Sequence, residues 1–118
     1  MPIELKWQEP RRVEEGKHTA RIASVERRFE PYDYIDVYYA LEDTDVTIKE
    51  GYPALLSEAS KLGKLLTSLG FAAEVNTLLD LEAALVGKHV TLLTINEPIK
   101  DGRVFARVVD GSVKMVPQ

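Results

Sequence analysis

Cysteine is absent from the 118 residues. That removes disulfide frameworks, thiolate zinc sites and cysteine nucleophiles together, and it fits a reducing compartment. No apolar run is long enough to span a bilayer, and the opening MPIELKWQEP has no apolar core of the signal-peptide kind. A cytoplasmic protein with no membrane association is expected. Asparagine and glutamine are scarce (Asn76, Asn96, Gln8, Gln118), and tryptophan occurs once, at Trp7, where a packing role is favoured over a ligand platform.

Enzyme motifs are missing as well. Gly63-Lys64 lacks the upstream glycine and the following Ser or Thr of a phosphate-cradling loop. There is no dinucleotide-type glycine triplet, no nucleophile elbow and no His-Glu-x-x-His. A non-enzyme without a cofactor is expected. His18 and His89 each begin a strand, and two imidazoles without a third ligand make a poor metal site. Glu42, Asp43 and Asp45 read as a solvated acidic turn rather than a cation site, so no metal is expected.

What is present suits one globular domain over residues 1–118, with 45% hydrophobic and 29% charged residues. The net charge of −4 gives no global attraction to nucleic acid. The charge is uneven, however. From Gly87 onward Lys88, Lys100, Arg103, Arg107 and Lys114 outnumber Glu97, Asp101 and Asp110. A mildly acidic protein can carry a basic groove, because the local field decides.

Residues 1–16 read as an N-terminal arm or edge strand with the alternation Ile3, Leu5, Trp7. Residues 17–30 predict a long strand. Ala20 and Ile22 share a parity that Val25 and Phe29 break, which predicts a β-bulge near Ala23–Ser24. Residues 34–42 are the clearest strand, with Ile35, Val37, Tyr39 and Leu41 facing in and Tyr34, Asp36, Tyr38 and Glu42 facing out. Val46 and Ile48 point inward in a third strand ending at Gly51. Pro53 to Gly70 predicts a helix with Leu55, Ala59, Leu62, Leu66 and Leu69 on one face, widened by Leu65. Glu58 suits its positive end and Gly70 its terminus, while Gly63, costly inside a helix, predicts a close approach of another backbone. Asp80 would cap a short helical turn ended by Gly87. Strands over 88–97 (bent, since Val90 and Leu92 differ in parity from Leu93 and Ile95) and 103–109, joined by a hairpin at 98–102, and a last short strand at 113–116 complete the chain.

Three meandering strands, a helix and a hairpin make the order of a mainly β fold: a five-stranded Greek-key barrel, the OB-fold, whose helix between strands three and four plugs one end. The alternatives are an SH3-like barrel or an open α+β sheet. An OB-fold binds single strands across strands two and three, with aromatic rings for the bases and cations for the phosphates. The candidates are Tyr34 and Tyr38 on strand two, Tyr32 in the first loop, Arg27 and Arg28 leading into it, Lys49 on strand three, Lys100 and Arg103 at the last hairpin, and Arg107 on strand five. Asp33 and Asp36 lie among them and oppose phosphate.

GKHTARIASVE, YDYIDVYYALED, SKLGKLLTSLG and DLEAALVGKHVTLL together resemble a group of small phage and prophage proteins, over roughly Gly16 to Asp110. These are regarded as OB-fold single-stranded DNA-binding proteins of replication and recombination modules. The most telling parts are Lys61-Leu62-Gly63-Lys64-Leu65-Leu66 and Leu85-Val86-Gly87-Lys88. The resemblance implies single-stranded DNA as the partner, with RNA the other option, and replication or recombination proteins and a second copy as further ones. The rival expectation is a viral assembly or replisome adaptor without nucleic-acid affinity, motivated by the overall acidity and by Asp36.

Overall fold

The computed structural model describes residues 2–5, 13–72, 78–98 and 104–116. Its strands are β1 (Gly16–Arg28), β2 (Tyr34–Leu41), β3 (Thr47–Pro53), β4 (His89–Pro98), β5 (Val104–Val108) and the two-residue β6 (Lys114–Met115). Two short helices, α1 (Lys61–Ser68) and α2 (Leu81–Leu85), lie between β3 and β4 in the chain. The first five strands form a nearly closed antiparallel barrel in the order β3-β2-β1-β4-β5, with β6 beside β4 and with β3 and β5 meeting at the seam. The open α+β sheet is thereby set aside.

β1 is the strand on which the barrel turns. Residues 16–21 pair with β4 and residues 20–28 with β2, so one strand serves two neighbours along its length. The register slips between Ile22 and Ser24, where the parity of the sequence breaks. The extra residue keeps Ala20 and Ile22 fully inside and still lets Val25 pack against the core. On β2, Ile35, Val37, Tyr39 and Leu41 face the core as their alternation requires. The core is completed by Ile48, the helix leucines, Leu85, Val90, Leu92 and Val108.

The helix differs from its sequence expectation at the start. Pro53 pairs with Tyr34 at the end of β3, and the helix begins only at Lys61. Ser60 decides this. Its Oγ accepts the Gly63 N–H at 2.9 Å and so satisfies one of the orphan donors of the first turn. Glu58 and Ala59 lie in the turn before the helix, and Leu55 and Leu56 are exposed instead of forming the first rung of the stripe. The remaining rungs, Leu62, Leu65, Leu66 and Leu69, are buried. Gly70 has φ 93° after the helix. α2 is capped by Asp80, whose carboxylate accepts the Ala83 N–H at 3.2 Å.

β4 carries no bend of the expected kind. Val90, Leu92 and Thr94 point inward in unbroken alternation, and Leu93 and Ile95 stand on the outer face, 44% and 40% exposed. In the N-terminal arm, Ile3 and Leu5 lie outside any strand and are exposed, while Val13 is buried in the core.

Candidate functional site

The outer face of β1, β2 and β3 sets three short rows side by side. Register places Arg28 against Tyr34, Glu26 against Asp36, and Ser24 against Tyr38. On the other flank Gly51 faces Asp36 and Lys49 faces Tyr38. A β-carbon at Gly51 would stand at ordinary contact distance, 3.4 Å from Asp36 Oδ1 and 3.6 Å from the Tyr34 ring, so the β2 side chains lie close across β3. The loop at the end of β1 and β2 is tied down by the Ala54 N–H, which donates to the Asp33 carbonyl at 3.0 Å.

The two arginines do not stand free. Arg27 donates from Nε and Nη2 to the two carboxylate oxygens of Asp33 at 2.9 and 2.7 Å. That hydrogen bonding holds the Asp33 carboxyl below the usual carboxylate range. Arg28 donates from Nε and Nη2 to Asp36 at 2.9 and 3.3 Å, and from Nη1 to the Glu30 carbonyl at 3.1 Å. Asp36 is therefore not an outward repulsive charge, as its parity suggests. It is buried, and its forked pairing with Arg28 compensates the cost of taking it out of water.

The guanidinium planes also cover rings. Arg28 lies over Tyr34 with 5.1 Å to the ring centroid, and Arg27 over Phe29 with 5.0 Å. Tyr38 is half-buried and donates its hydroxyl to Glu26 Oε2 at 3.2 Å; burial, then the Glu26 charge, pushes its pKa up. Tyr32 at the loop tip is 70% exposed and Phe29 beside it 65%. Phe29 is not among the residues that the sequence alone nominates. It lies past the last residue of β1, immediately before Glu30-Pro31, and that proline was the signal that the strand's inside–outside alternation had ended.

The structure thus brings Arg28, Tyr34, Tyr38 and Lys49 onto the outer face of β1–β3, while Arg27, on the opposite parity against the inward Ile35, and Tyr32, in the loop, stand at the end of these strands. Arg107 is elsewhere, at the β3–β5 seam, where Nη2 donates to Glu50 at 3.1 Å and Nη1 to Glu97 at 3.2 Å. Lys100 and Arg103 lie outside the described residues. The assembled face is rich in rings and nearly neutral in charge, because each arginine has its own carboxylate. Such a face offers rings for stacking, and an arginine there can meet an anion only by leaving its aspartate.

The acidic turn has partners of its own. Asp43 accepts from His18 Nδ1 at 2.8 Å and Glu42 from His89 Nδ1 at 2.6 Å. The histidines are not neighbours in the barrel: His18 stands opposite Leu92, and His89 opposite Arg21. Among the described residues no group of three or more metal-ligating side chains is gathered, and no helix is long and apolar enough to cross a membrane. The sequence matches no known family model and no curated protein at a significant level.

Proposed function

We propose that the chain is a non-enzymatic OB-fold protein that binds single-stranded DNA, with RNA as the related ligand, in replication, recombination or repair in the cytoplasm. The strand order β3-β2-β1-β4-β5, with β3 against β5, supports a Greek-key barrel of this kind. The observation that carries the binding reading is the pair of exposed rings, Phe29 and Tyr32, beside Tyr34 and Tyr38 on the β2 face. Exposed rings on a loop rim are costly to leave in water and suited to unpaired bases, each stack contributing about 1–3 kcal/mol.

A second reading, a protein-interaction adaptor of viral origin, is favoured by the carboxylate pairing of Arg27 and Arg28, which leaves little free positive charge for phosphate. Binding of a fluorescent oligo(dT), with duplex competitor and across a salt series, separates the two. The expected result is binding that resists duplex and declines only shallowly with salt, because few cations are unpaired. Phe29→Ala with Tyr32→Ala should weaken it about tenfold or more. Absence of binding at low salt by folded protein would favour the adaptor.

A further inference from the structure

Away from the β1–β2–β3 face, the outer side of β4 carries a groove of about 400 Å³. Leu93, 44% exposed, forms its apolar floor. Lys17 of β1 stands opposite Leu93 in the ladder, and Lys114 of β6 stands opposite Thr91, so a lysine rises on each side of the floor. Both lysines are exposed, and neither has an ion-pair partner among the described residues. The one carboxylate on the rim, Asp110, lies 3.4 Å from Lys61 and is already engaged. The rim is held in place by Ser112. Its Oγ accepts the Leu93 N–H at 3.1 Å and donates to the Val109 carbonyl at 2.6 Å.

We propose that this groove docks an acidic peptide segment of a partner protein, an aliphatic side chain seating on Leu93 and carboxylates meeting Lys17 and Lys114. Charge complementarity selects that partner. In a chain of net charge −4, two unpaired ammonium groups converge on one apolar floor. A nucleic-acid strand fits less well, since among the described residues the lining holds no aromatic ring on which a base could stack. The inference is independent of the nucleic-acid reading, because the groove shares none of the tyrosines, arginines or Lys49 on which that reading rests.

The test is fluorescence anisotropy with the full chain and a short fluorescein-labelled peptide alternating Glu with Leu, beside a control peptide alternating Glu with Ser. The expected result is saturable binding of the Glu–Leu peptide that weakens about tenfold or more on Lys17→Glu with Lys114→Glu, and again on Leu93→Ser. The Phe29→Ala, Tyr32→Ala variant should bind the peptide unchanged, and oligo(dT) should not displace it. Equal binding of the Glu–Ser peptide would overturn the proposal by removing the apolar floor from recognition. Displacement by oligo(dT) would overturn it by making the lysines a phosphate site. Self-association that blocks the peptide and disappears on deleting residues 2–5 would overturn it in favour of the arm of a second copy.

Discussion

Arg107 on β5 donates from Nη2 to Oε1 of Glu50 on β3 at 3.1 Å, across the one seam of the barrel that has no β ladder. Lys61 of α1 donates to the same oxygen at 2.9 Å and to the Gly51 carbonyl at 2.9 Å, with its ammonium 4.7 Å from the Tyr52 ring centroid. The Glu50 side chain is only 4% exposed, so the seam is organised around a buried carboxylate between two cations. Behind it the buried Tyr39 and Tyr52 hydroxyls share a hydrogen bond of 2.7 Å.

The two cations should differ in weight. Lys61 is 25% exposed and satisfies a backbone carbonyl as well as Glu50; Arg107 is 44% exposed and screened by water. Lys61→Met is expected to cost about 2–4 kcal/mol, since it leaves the buried carboxylate underpaired. Arg107→Met should cost about 1 kcal/mol or less. Urea unfolding of the two variants against the parent measures both. Equal costs would mean that the two cations share the closure of the barrel, and a larger cost for Arg107→Met would place it on Arg107.

His18 makes stability depend on pH. Its Nδ1 meets the Asp43 carboxylate at 2.8 Å and its Nε2 the Glu14 carbonyl at 2.6 Å. Both neighbours are acceptors, so both ring nitrogens are satisfied as donors only in the imidazolium. Burial draws the pKa down, but the Glu14 carbonyl, and then the Asp43 hydrogen bond and charge, outweigh it. The pKa lies above the usual 6.5. A folded-state pKa above the unfolded one contributes stability that is fully present below the unfolded value. That stability is lost as pH rises through the folded value. The stability difference between the parent and His18→Gln should therefore be full below about pH 6 and shrink as the solution becomes alkaline. Asp43→Asn should flatten the same curve. A difference that grows with pH would refute the doubly donating imidazolium.

How much of this was legible follows from which signals are local. Alternation placed every inward residue of β2, and the broken parity of β1 located the bulge, because both depend only on the two-residue period of a strand. The same rule, carried two residues past Ile48, puts Glu50 inside, and a buried carboxylate requires a cation. What alternation could not name is which cation, since Lys61 and Arg107 reach Glu50 from elements 11 and 57 residues away. The face of β2 differs from its sequence expectation for a related reason. Parity alone makes Asp36 an exposed charge, because nothing local in the sequence pairs it with Arg28. Only the register shows Arg28 one rung away across the ladder, with Asp36 within its reach. The helix start was obscured because Leu55 and Ala59 continue the helical spacing by chance, while the capping signal, Ser60 three residues before Gly63, is a single hydroxyl. Lys100 and Arg103 lie outside the described residues and stay with the sequence reading.

Gly63 ties that capping geometry to a measurable penalty. A β-carbon built there would stand 1.7 Å from the Ser57 carbonyl oxygen and 2.8 Å from its carbon. The Ser57 carbonyl cannot yield easily, because it accepts the Ser60 N–H at 3.1 Å and the Ser60 hydroxyl at 2.9 Å. Two effects then compete in Gly63→Ala. Helix propensity favours alanine by about 1 kcal/mol. Against this, the methyl must push a hydrogen-bonded backbone turn away from the first turn of α1, and overpacking of this kind costs about 1–3 kcal/mol even where flexible side chains can move. Here the obstacle is backbone, so the penalty should exceed the propensity gain. The variant is expected to lose about 2 kcal/mol or more in urea unfolding. Lys64→Ala, at the exposed neighbouring position, should stay within about 0.5 kcal/mol of the parent and serves as the control for helix propensity alone. A Gly63→Ala protein as stable as the parent would mean that the Ser57–Ser60 turn withdraws at little cost and that the glycine is not required by the close approach.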